Sequence, residues 1–424
     1  MSAMKRASCD CSIGTLVCLG LAACYDQQPG RSDSTVATAW FPVAVNDLNG
    51  DGMVDFALFL SPDPVGPNYD YKLAVMSGRD GSVLVPPSKL PSGPRMTVAP
   101  ADDLDGDGHP DLLVGISCNP LFGRSRVLGL SGRTFEPVWE ITSWSLSESF
   151  TSRVVAVFDD RTRRTRGVIV LDPMAEDDTG LVRLYSVETR ELVSTFRLGT
   201  RWSAVECIGL EDVNGDHVSD IAIGLPFAGP QVLVLSGSDV QLLYKINGDE
   251  GSNMGTCLVQ APDVDHDGVM DLIIGVPFKR RAMFQVGGVR IVSGRSGRII
   301  RECPGHDPKA VLGDDFCLYR DDEPEPGMQL ASVDRRGRLT IHDLDGGPDR
   351  RMGPEAPVDQ DWGMVVPLDS LRQGLRSGYV ICVNRKMGDV ADGPIARIGA
   401  QVTILEPGEG RVRGSVNRDD LYPH

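Results

Sequence analysis

A nine-residue acidic pattern occurs four times in the chain and limits its fold more than any other feature. The copies begin at Asp47, Asp103, Asp212 and Asp263, and each has Asp at positions 1, 5 and 9 and Asn or Asp at position 3. A short apolar run of strand type follows each copy directly, as in Leu272-Ile-Ile274. About 20 residues later comes a turn of small residues. These turns are Ser77-Gly78, Ser131-Gly132, Ser236-Gly237 and Ser293-Gly294. Four copies of one compound pattern indicate a repeat protein.

The spacing of the copies predicts seven repeats of roughly 55 residues. The gap between the second and third copies is about twice the neighbouring gaps, so a degenerate copy is expected near Asp159, ahead of the apolar run Val168-Ile-Val-Leu171. Two further degenerate copies fit near Asp322 and Asp369. Four-stranded repeats of this kind are stable only when stacked, and a closed ring leaves no long exposed edge. We therefore expect an all-β, seven-bladed β-propeller over residues 38–424.

The acidic loops carry the ligand types that Ca²⁺ prefers. Carboxylate or amide oxygens at positions 1, 3, 5 and 9, with a backbone carbonyl at position 7, would surround one ion in each loop. The predicted ligands are Asp47, Asn49, Asp51, Met53 and Asp55 in the first loop; Asp103, Asp105, Asp107, His109 and Asp111 in the second; Asp212, Asn214, Asp216, Val218 and Asp220 in the third; and Asp263, Asp265, Asp267, Val269 and Asp271 in the fourth. Clustered carboxylates repel one another without a cation, so we expect about four Ca²⁺ ions.

The acidic loops have two other interpretations. An EF-hand needs a bidentate Glu at position 12, whereas this chain has Leu58, Val114, Ile223 and Ile274 there, which predicts hairpin tips between two strands. Ordinary Asp, Asn and Gly turns without metal are the remaining alternative. Gly at position 6 would permit a positive φ, and His217 takes its place in the third loop. The degenerate copy near residue 159 is basic instead, and we expect it to bind no metal. Its arginines are Arg161, Arg163, Arg164 and Arg166.

The N-terminus has the features of an export signal. Lys5 and Arg6 precede an apolar stretch that ends in Leu21-Ala-Ala-Cys24, which resembles the bacterial lipobox. We expect residues 1–23 to be the signal, Cys24 to be lipidated, and residues 24–37 to form a flexible tether. Any membrane contact would then be made only through that anchor. An ordinary cleaved signal, or no export at all, are the alternatives.

Composition limits the partners and the cross-links. The net charge of −17 argues against a nucleic-acid partner, which would require a basic surface. No apolar run after the signal is long enough for a membrane-spanning helix. The six cysteines beyond the signal could form disulfides or remain buried thiols, and Cys303 with Cys317 is the nearest pair in sequence. We expect most of the five tryptophans to pack between blades.

The acidic loop, the runs Leu272-Ile-Ile-Gly-Val-Pro277 and Ile221-Ala-Ile-Gly-Leu-Pro226, and the later Ser-Gly turn together resemble FG-GAP repeats. These repeats form the blades of integrin alpha-chain propellers and of many bacterial surface proteins. The resemblance covers most of residues 38–420 and is strongest in the four copies with intact acidic loops. It implies a seven-bladed propeller with calcium at the hairpin tips of one face, and a role in adhesion or ligand binding.

Function at this stage is an expectation drawn largely from the fold. We expect a surface module that binds a protein or glycan ligand. A propeller enzyme acting on polysaccharide, and a scaffold subunit of an envelope complex, are the alternatives. Catalysis has little support because three of the six histidines, His109, His217 and His266, lie inside the acidic loops, and no nucleophile elbow or zinc-hydrolase motif is present. We therefore expect no catalytic residues and no organic cofactor.

Overall fold

The structure is a computed structural model of the 424-residue chain. It describes residues 40–60, 71–93, 95–117, 124–142, 153–162, 164–172, 179–199, 206–227, 229–278, 280–281, 284–305, 312–314, 316–319, 328–333, 339–345, 349–352, 360–362, 365–367, 380–386, 400–405 and 412–416. The predicted signal at 1–23, Cys24 and the tether at 24–37 lie outside these residues. So do the degenerate loops predicted near Asp322 and Asp369.

Antiparallel sheets follow one another along the chain, and each is built from consecutive strands. Blade 1 contains β1 (Trp40–Ala44), β2 (Phe56–Leu60), β3 (Tyr71–Met76), β4 (Val83–Val85) and β5 (Ser92–Gly93), with one 3-10 turn at Pro87–Lys89. Blade 2 contains β6 (Arg95–Ala101), β7 (Asp111–Ser117), β8 (Arg126–Leu130) and β9 (Pro137–Thr142). Blade 3 contains β10 (Arg153–Phe158), β11 (Thr165–Asp172), β12 (Leu181–Ser186) and β13 (Leu192–Arg197).

The next three blades have the same strand order. Blade 4 contains β14 (Glu206–Gly209), β15 (Ile221–Leu225), β16 (Gln231–Leu235) and β17 (Leu242–Asn247). Blade 5 contains β18 (Leu258–Ala261), β19 (Asp271–Gly275), β22 (Gly288–Val292) and β23 (Ile299–Pro304), with the small hairpin β20 (Arg280–Arg281) and β21 (Phe284–Gln285) inserted. Blade 6 contains β24 (Cys317–Tyr319), β25 (Gln329–Val333), β26 (Leu339–Asp343) and β27 (Arg350–Met352).

A C-terminal sheet follows blade 6 and is described by its strands alone. It contains β28 (Gln360–Trp362), β29 (Val365–Pro367), β30 (Val380–Lys386), β31 (Ala400–Leu405) and β32 (Val412–Val416). The predicted class, an all-β propeller, is confirmed. The predicted count of seven is not, because blades with described side chains number six. No complete copy of the nine-residue acidic pattern follows Asp271, so the signal that located four of the earlier blades is missing from the last repeats.

The hydrophobic core is a series of layers between neighbouring blades. Successive side chains of a strand point to opposite faces, so Leu112 and Val114 of β7 pack towards blade 1 while Leu113 packs towards blade 3. All three side chains are completely buried. The second strands read as continuous apolar runs because both of their faces are covered. The first strands β1, β6, β10, β14, β18 and β24 contact one another in that order. The blades are therefore arranged around a common axis.

Side chains on outer strands also bond to the following blade. The Trp139 indole of β9 donates a hydrogen bond to the Val187 carbonyl of blade 3, at 2.9 Å. The Tyr244 hydroxyl of β17 donates to the Gly294 carbonyl of blade 5, at 2.5 Å. Both acceptors lie in the turn between the third and fourth strands. For Trp139, which is buried, the predicted packing between blades is confirmed.

The cysteines whose side chains the structure describes form no disulfide bond. They are Cys207, Cys257, Cys303 and Cys317, so the pair that is nearest in sequence, Cys303 and Cys317, is not bridged. Cys118 and the side chain of Cys382 lie outside what the structure describes. Within the described ranges, no helix has the length and apolar character needed to cross a membrane.

Candidate metal centres

The four acidic loops occupy one position in their blades, between the first and second strands. They join β1 to β2, β6 to β7, β14 to β15 and β18 to β19. In blades 2 and 5, the last loop residue is already the first residue of the second strand. The loops are therefore tips between two strands with no flanking helix, as the apolar residues at position 12 predicted.

The Asp at position 1 organises each loop through its backbone. In the second loop, one carboxylate oxygen of Asp103 accepts hydrogen bonds from the amides of Gly106, at 2.5 Å, and Asp107, at 3.1 Å. The other oxygen accepts from the Gly108 amide, at 2.9 Å. Asp47 and Asp212 make the same three bonds, and Asp263 makes the second and third of them. The backbone is thus wrapped around this carboxylate.

In the second loop, the side chains at positions 3 and 5 lie on the solvent side and make shorter-range bonds. Asp105 accepts from the Asp107 amide at 3.0 Å, and Asp107 accepts from the His109 amide at 2.9 Å. Asp105 and Asp107 are exposed. Their carboxylates therefore keep most of their hydration and have lone pairs that the loop does not use.

The Asp at position 9 is completely buried in all four loops and joins two parts of the blade. One oxygen of Asp111 accepts from the Leu104 amide, at 2.6 Å, at the start of the loop. The other accepts from the Gly132 amide, at 2.8 Å, in the turn between the third and fourth strands. Asp55, Asp220 and Asp271 make the corresponding pairs of bonds. This carboxylate fastens the acidic loop to the Ser-Gly turn.

The same contact explains why the turn needs glycine. A Cβ on Gly132 would overlap the carbonyl oxygen of Pro110, the residue before the buried Asp. The glycines of the other three Ser-Gly turns meet the corresponding carbonyl in their own blades. The acidic loop and the Ser-Gly turn, which are far apart in sequence, therefore pack directly against each other.

Two positions in each loop have left-handed backbone. At position 6, φ is +86° for Gly52 and +68° for His217, so the predicted positive φ is found even where His replaces Gly. Position 4 is also left-handed, with φ of +75° at Gly50 and +60° at His266. The sequence analysis did not identify position 4, although glycine stands there in three of the four loops.

Carboxylate oxygens converge in two of the four loops, in an arrangement that could hold a cation. In blade 2, carboxylate oxygens of Asp103, Asp105 and Asp111 lie within 4.8 Å of one another. In blade 5, those of Asp263, Asp265 and Asp267 do the same. Blades 1 and 4 have Asn at position 3, and the Asn49 amide reaches Asp55 at 3.5 Å. A donor set made entirely of oxygen fits Ca²⁺.

At position 7, the amides of Met53, His109, Val218 and Val269 donate to the position 5 carboxylate. Val218 and Val269 also contribute their side chains to the core layers. The predicted role of the four carbonyls as ligands stays a prediction.

Burial changes the acidity of the position 9 carboxyls. It raises the pKa from an ordinary 3.8 to about 6 for Asp55 and Asp111 and to about 7 for Asp220, and it also raises the pKa of Asp271. Hydrogen bonds from the two backbone amides oppose this rise, and neighbouring loop carboxylates add to it. A cation beside these groups would favour their charged forms.

Sequence analysis did not identify one further polar arrangement, in blade 6. The Ser332 hydroxyl and the His342 Nε2 atom are 2.7 Å apart, and His342 Nδ1 lies 3.3 Å from the Asp349 carboxylate. His342 and Asp349 line a cavity of about 260 Å³, but Ser332 does not, and it is only 2% exposed. A nucleophile must reach its substrate, so this geometry suits a buried polar contact between strands. No local sequence motif predicts this arrangement, because the three residues are brought together by the pairing of strands.

Comparison with known proteins supports the resemblance found in the sequence. A family model described as an FG-GAP-like repeat matches residues 47–114, which include the first two acidic loops. Integrin alpha-4 of Xenopus laevis is 27% identical over 118 residues, which cover 24% of this chain and 11% of the relative. The chain thus spans about a tenth of that protein's length. Sqt1 of Saccharomyces cerevisiae has a TM-score of 0.48 at 11% identity, covering 90% of this chain and 88% of that one.

Proposed function

We propose that this FG-GAP-like, integrin-alpha-like propeller is an exported calcium-binding module that holds a ligand on its surface. The observation that carries the proposal is the buried Asp at position 9, which joins the acidic loop to the Ser-Gly turn in four blades. An ion at each loop would neutralise the clustered carboxylates and fix the tips of the blades. The loops and turns of one face would then form a rigid surface for a protein or glycan ligand.

The predicted seventh blade is part of this proposal. The strand β29 of the C-terminal sheet contacts β24 of blade 6, and both β29 and β30 contact β1 of blade 1. These contacts support a ring in which the C-terminal sheet lies between the last and first blades. A closed ring would leave neither the first nor the last blade with an uncovered apolar face.

Attachment to the cell envelope through Cys24 is proposed from the lipobox-like segment. If it is correct, the wild-type protein will fractionate with membranes and a Cys24→Ser variant will not. An ordinary cleaved signal predicts that both proteins are soluble in the exported fraction.

Binding remains our proposal in preference to catalysis or a scaffold role. Within the described residues, the Ser332 and His342 pair comes nearest to a catalytic arrangement, and Ser332 is buried. A screen of polysaccharides for cleavage by the purified protein tests the enzymatic alternative. Co-purification of a constant set of envelope proteins would favour the scaffold.

The proposed metal binding is tested by calorimetry on protein stripped of metal. We expect about four Ca²⁺ ions to bind and the melting temperature to rise, since a ligand that binds only the folded state stabilises it. A Glu136→Gln variant, which removes an exposed carboxylate outside the loops, should bind the same number of ions. No heat of binding and an unchanged melting temperature would mean that the loops are metal-free turns.

A further inference from the structure

Blade 3 has a basic connection where four other blades have an acidic loop. Only residues 159–164 separate β10 from β11. One oxygen of Asp159 accepts hydrogen bonds from the amides of Arg161, at 3.1 Å, and Thr162, at 2.9 Å, and from the Thr162 hydroxyl, at 3.1 Å. The hydrogen bond from the Thr162 amide, as the main cause, lowers the pKa of Asp159. Its charge is thus stabilised within its own turn.

The turn between the third and fourth strands has changed together with this connection. It reads Ser186-Val187, with no glycine. The Val187 amide donates to the Arg166 carbonyl, at 2.9 Å, where the other turns donate to a buried Asp. Val187 can have a side chain at this position because blade 3 lacks the long acidic loop, whose carbonyl lies against the glycine of the turn in four other blades.

A cavity of about 480 Å³ lies beside this turn, between blades 3 and 4. Its volume is within the range of small-molecule and peptide side-chain pockets. Part of its lining is apolar and comes from both blades, including Val157, Leu184 and Val218. The two guanidinium-bearing residues of the lining are Arg164 and Arg166.

These two arginines are available for a ligand. Both are exposed, and neither has an ion pair with any residue that the structure describes. The lining also contains Asp159, which accepts hydrogen bonds within its own turn and is stabilised in part by the charge of Arg166, and Glu188, which is exposed to water. The chain as a whole has a net charge of −17. In a chain of this net charge, two exposed guanidinium groups beside one cavity would attract the carboxylate of a ligand to this position.

The edge of blade 3 favours an extended ligand. β13 is the last strand in the order β10-β11-β12-β13, so its outer edge has no strand partner in the described part of the chain. Leu192 and Val193 at its start are 51% and 55% exposed, and Val193 also lines the cavity. Unpaired strand edges bind extended peptides through main-chain hydrogen bonds, while adjoining pockets select side chains.

We propose that the cavity between blades 3 and 4 binds an extended acidic segment of a partner protein. A carboxylate of the segment pairs with Arg164 and Arg166, and a neighbouring aliphatic side chain packs against the apolar lining. This inference rests on the proposed function, because it names the partner class of the ligand-binding module. A peptide fits better than a sugar because part of the lining is aliphatic, including the exposed Val193, and because the outer edge of β13 has no strand partner in the described part of the chain.

The test is fluorescence anisotropy with a short labelled peptide of alternating valine and glutamate. We expect saturable binding to the calcium-loaded protein, and weaker binding of the same peptide with glutamine in place of glutamate. An Arg164→Ala/Arg166→Ala variant should lose affinity by at least about tenfold, the loss of roughly one charge-assisted contact. Arg133→Ala removes an exposed arginine from blade 2, in the turn between its third and fourth strands, and this control should bind like the wild type.

Two results would overturn the inference. One is equal affinity of the double arginine variant and the wild type, which would place any peptide site elsewhere. The other is absence of peptide binding, including the case in which polygalacturonate binds through the same arginines. Calcium titration of the same samples distinguishes failure of this inference from failure of the proposed function. If calcium still binds but the peptide does not, the calcium-binding module is retained and only the peptide site is rejected.

Discussion

The Asp111 carboxylate accepts a hydrogen bond from the Gly132 amide, at 2.8 Å, across 21 residues of chain. The contact joins the acidic loop of blade 2 to the turn between its third and fourth strands. Blades 1, 4 and 5 have the same contact. In each of these blades the contact links the loop that would bind the ion to the turn that connects the last two strands of the sheet.

Gly132→Ala should strongly destabilise the protein. The new Cβ would overlap the Pro110 carbonyl oxygen, and backbone on both sides leaves little room to move. We expect a loss of about 3 kcal/mol, the upper range for overpacking. Urea unfolding measures it, with the exposed neighbour Arg133→Ala as a control that should change stability by less than about 0.5 kcal/mol. Equal midpoints for the two variants would contradict the close approach.

Asp111→Ala should destabilise even the metal-free protein at pH 5, where protonation already relieves the buried charge. The side chain accepts from the amides of Leu104 and Gly132, and alanine offers neither of them an acceptor. Each buried amide that loses its partner costs about 1–3 kcal/mol. Thermal unfolding after removal of calcium measures this cost. Unchanged stability would show that the contact does not constrain the blade.

Asp105→Ala should affect calcium binding but not the metal-free fold. Asp105 is exposed and accepts one hydrogen bond within the loop, from the Asp107 amide. We expect the number of bound ions to fall from about four to about three, with the melting temperature in the absence of calcium changed little. Calorimetry and thermal unfolding of the same sample separate the two effects. A full complement of ions in the variant would exclude Asp105 as a ligand.

The metal-free protein should be more stable at pH 5 than at pH 8. The folded pKa values of Asp55, Asp111 and Asp220, about 6 to 7, lie above the ordinary 3.8. Between about pH 4 and 7 the folded state therefore binds more protons than the unfolded state, and the free energy of unfolding falls as pH rises. Scanning calorimetry measures this after calcium has been stripped and the chelator dialysed away. A melting temperature that rises from pH 5 to pH 8 would refute the expected trend, which bound calcium should weaken.

Tyr244→Phe should weaken the contact between blades 4 and 5. The hydroxyl donates to the Gly294 carbonyl, and its loss should cost about 1 kcal/mol. Leu242→Ala on the same strand removes a side chain that is 43% exposed and should cost less. Denaturant unfolding compares the two variants. A larger effect of Leu242→Ala would indicate that packing on the outer strand dominates.

Much of the blade could be predicted because its signals are local. Asp103, Asp105 and Asp107 lie so close in sequence that a tight loop must bring their oxygens together. The link from Asp55 to Gly78 could not be derived in this way, since it depends on how four strands align. The same is true of Ser332 and His342, which meet through the register of β25 and β26. The Ser-Gly turns were found as a pattern, and only the structure explains them.

Three side-chain bonds between blades run in the same direction along the chain. Trp139 and Tyr244 bond to turns of the blades that follow their own, and Arg301 of blade 5 pairs with Asp345 of blade 6 at 2.8 Å. Gly294, which accepts from Tyr244, also donates to the buried Asp271 of its own loop. The outer strand of blade 4 is thus anchored by the acidic loop of its successor. If the acidic loop of blade 5 binds an ion, removal of that ion should therefore loosen the outer strand of blade 4 as well as blade 5 itself.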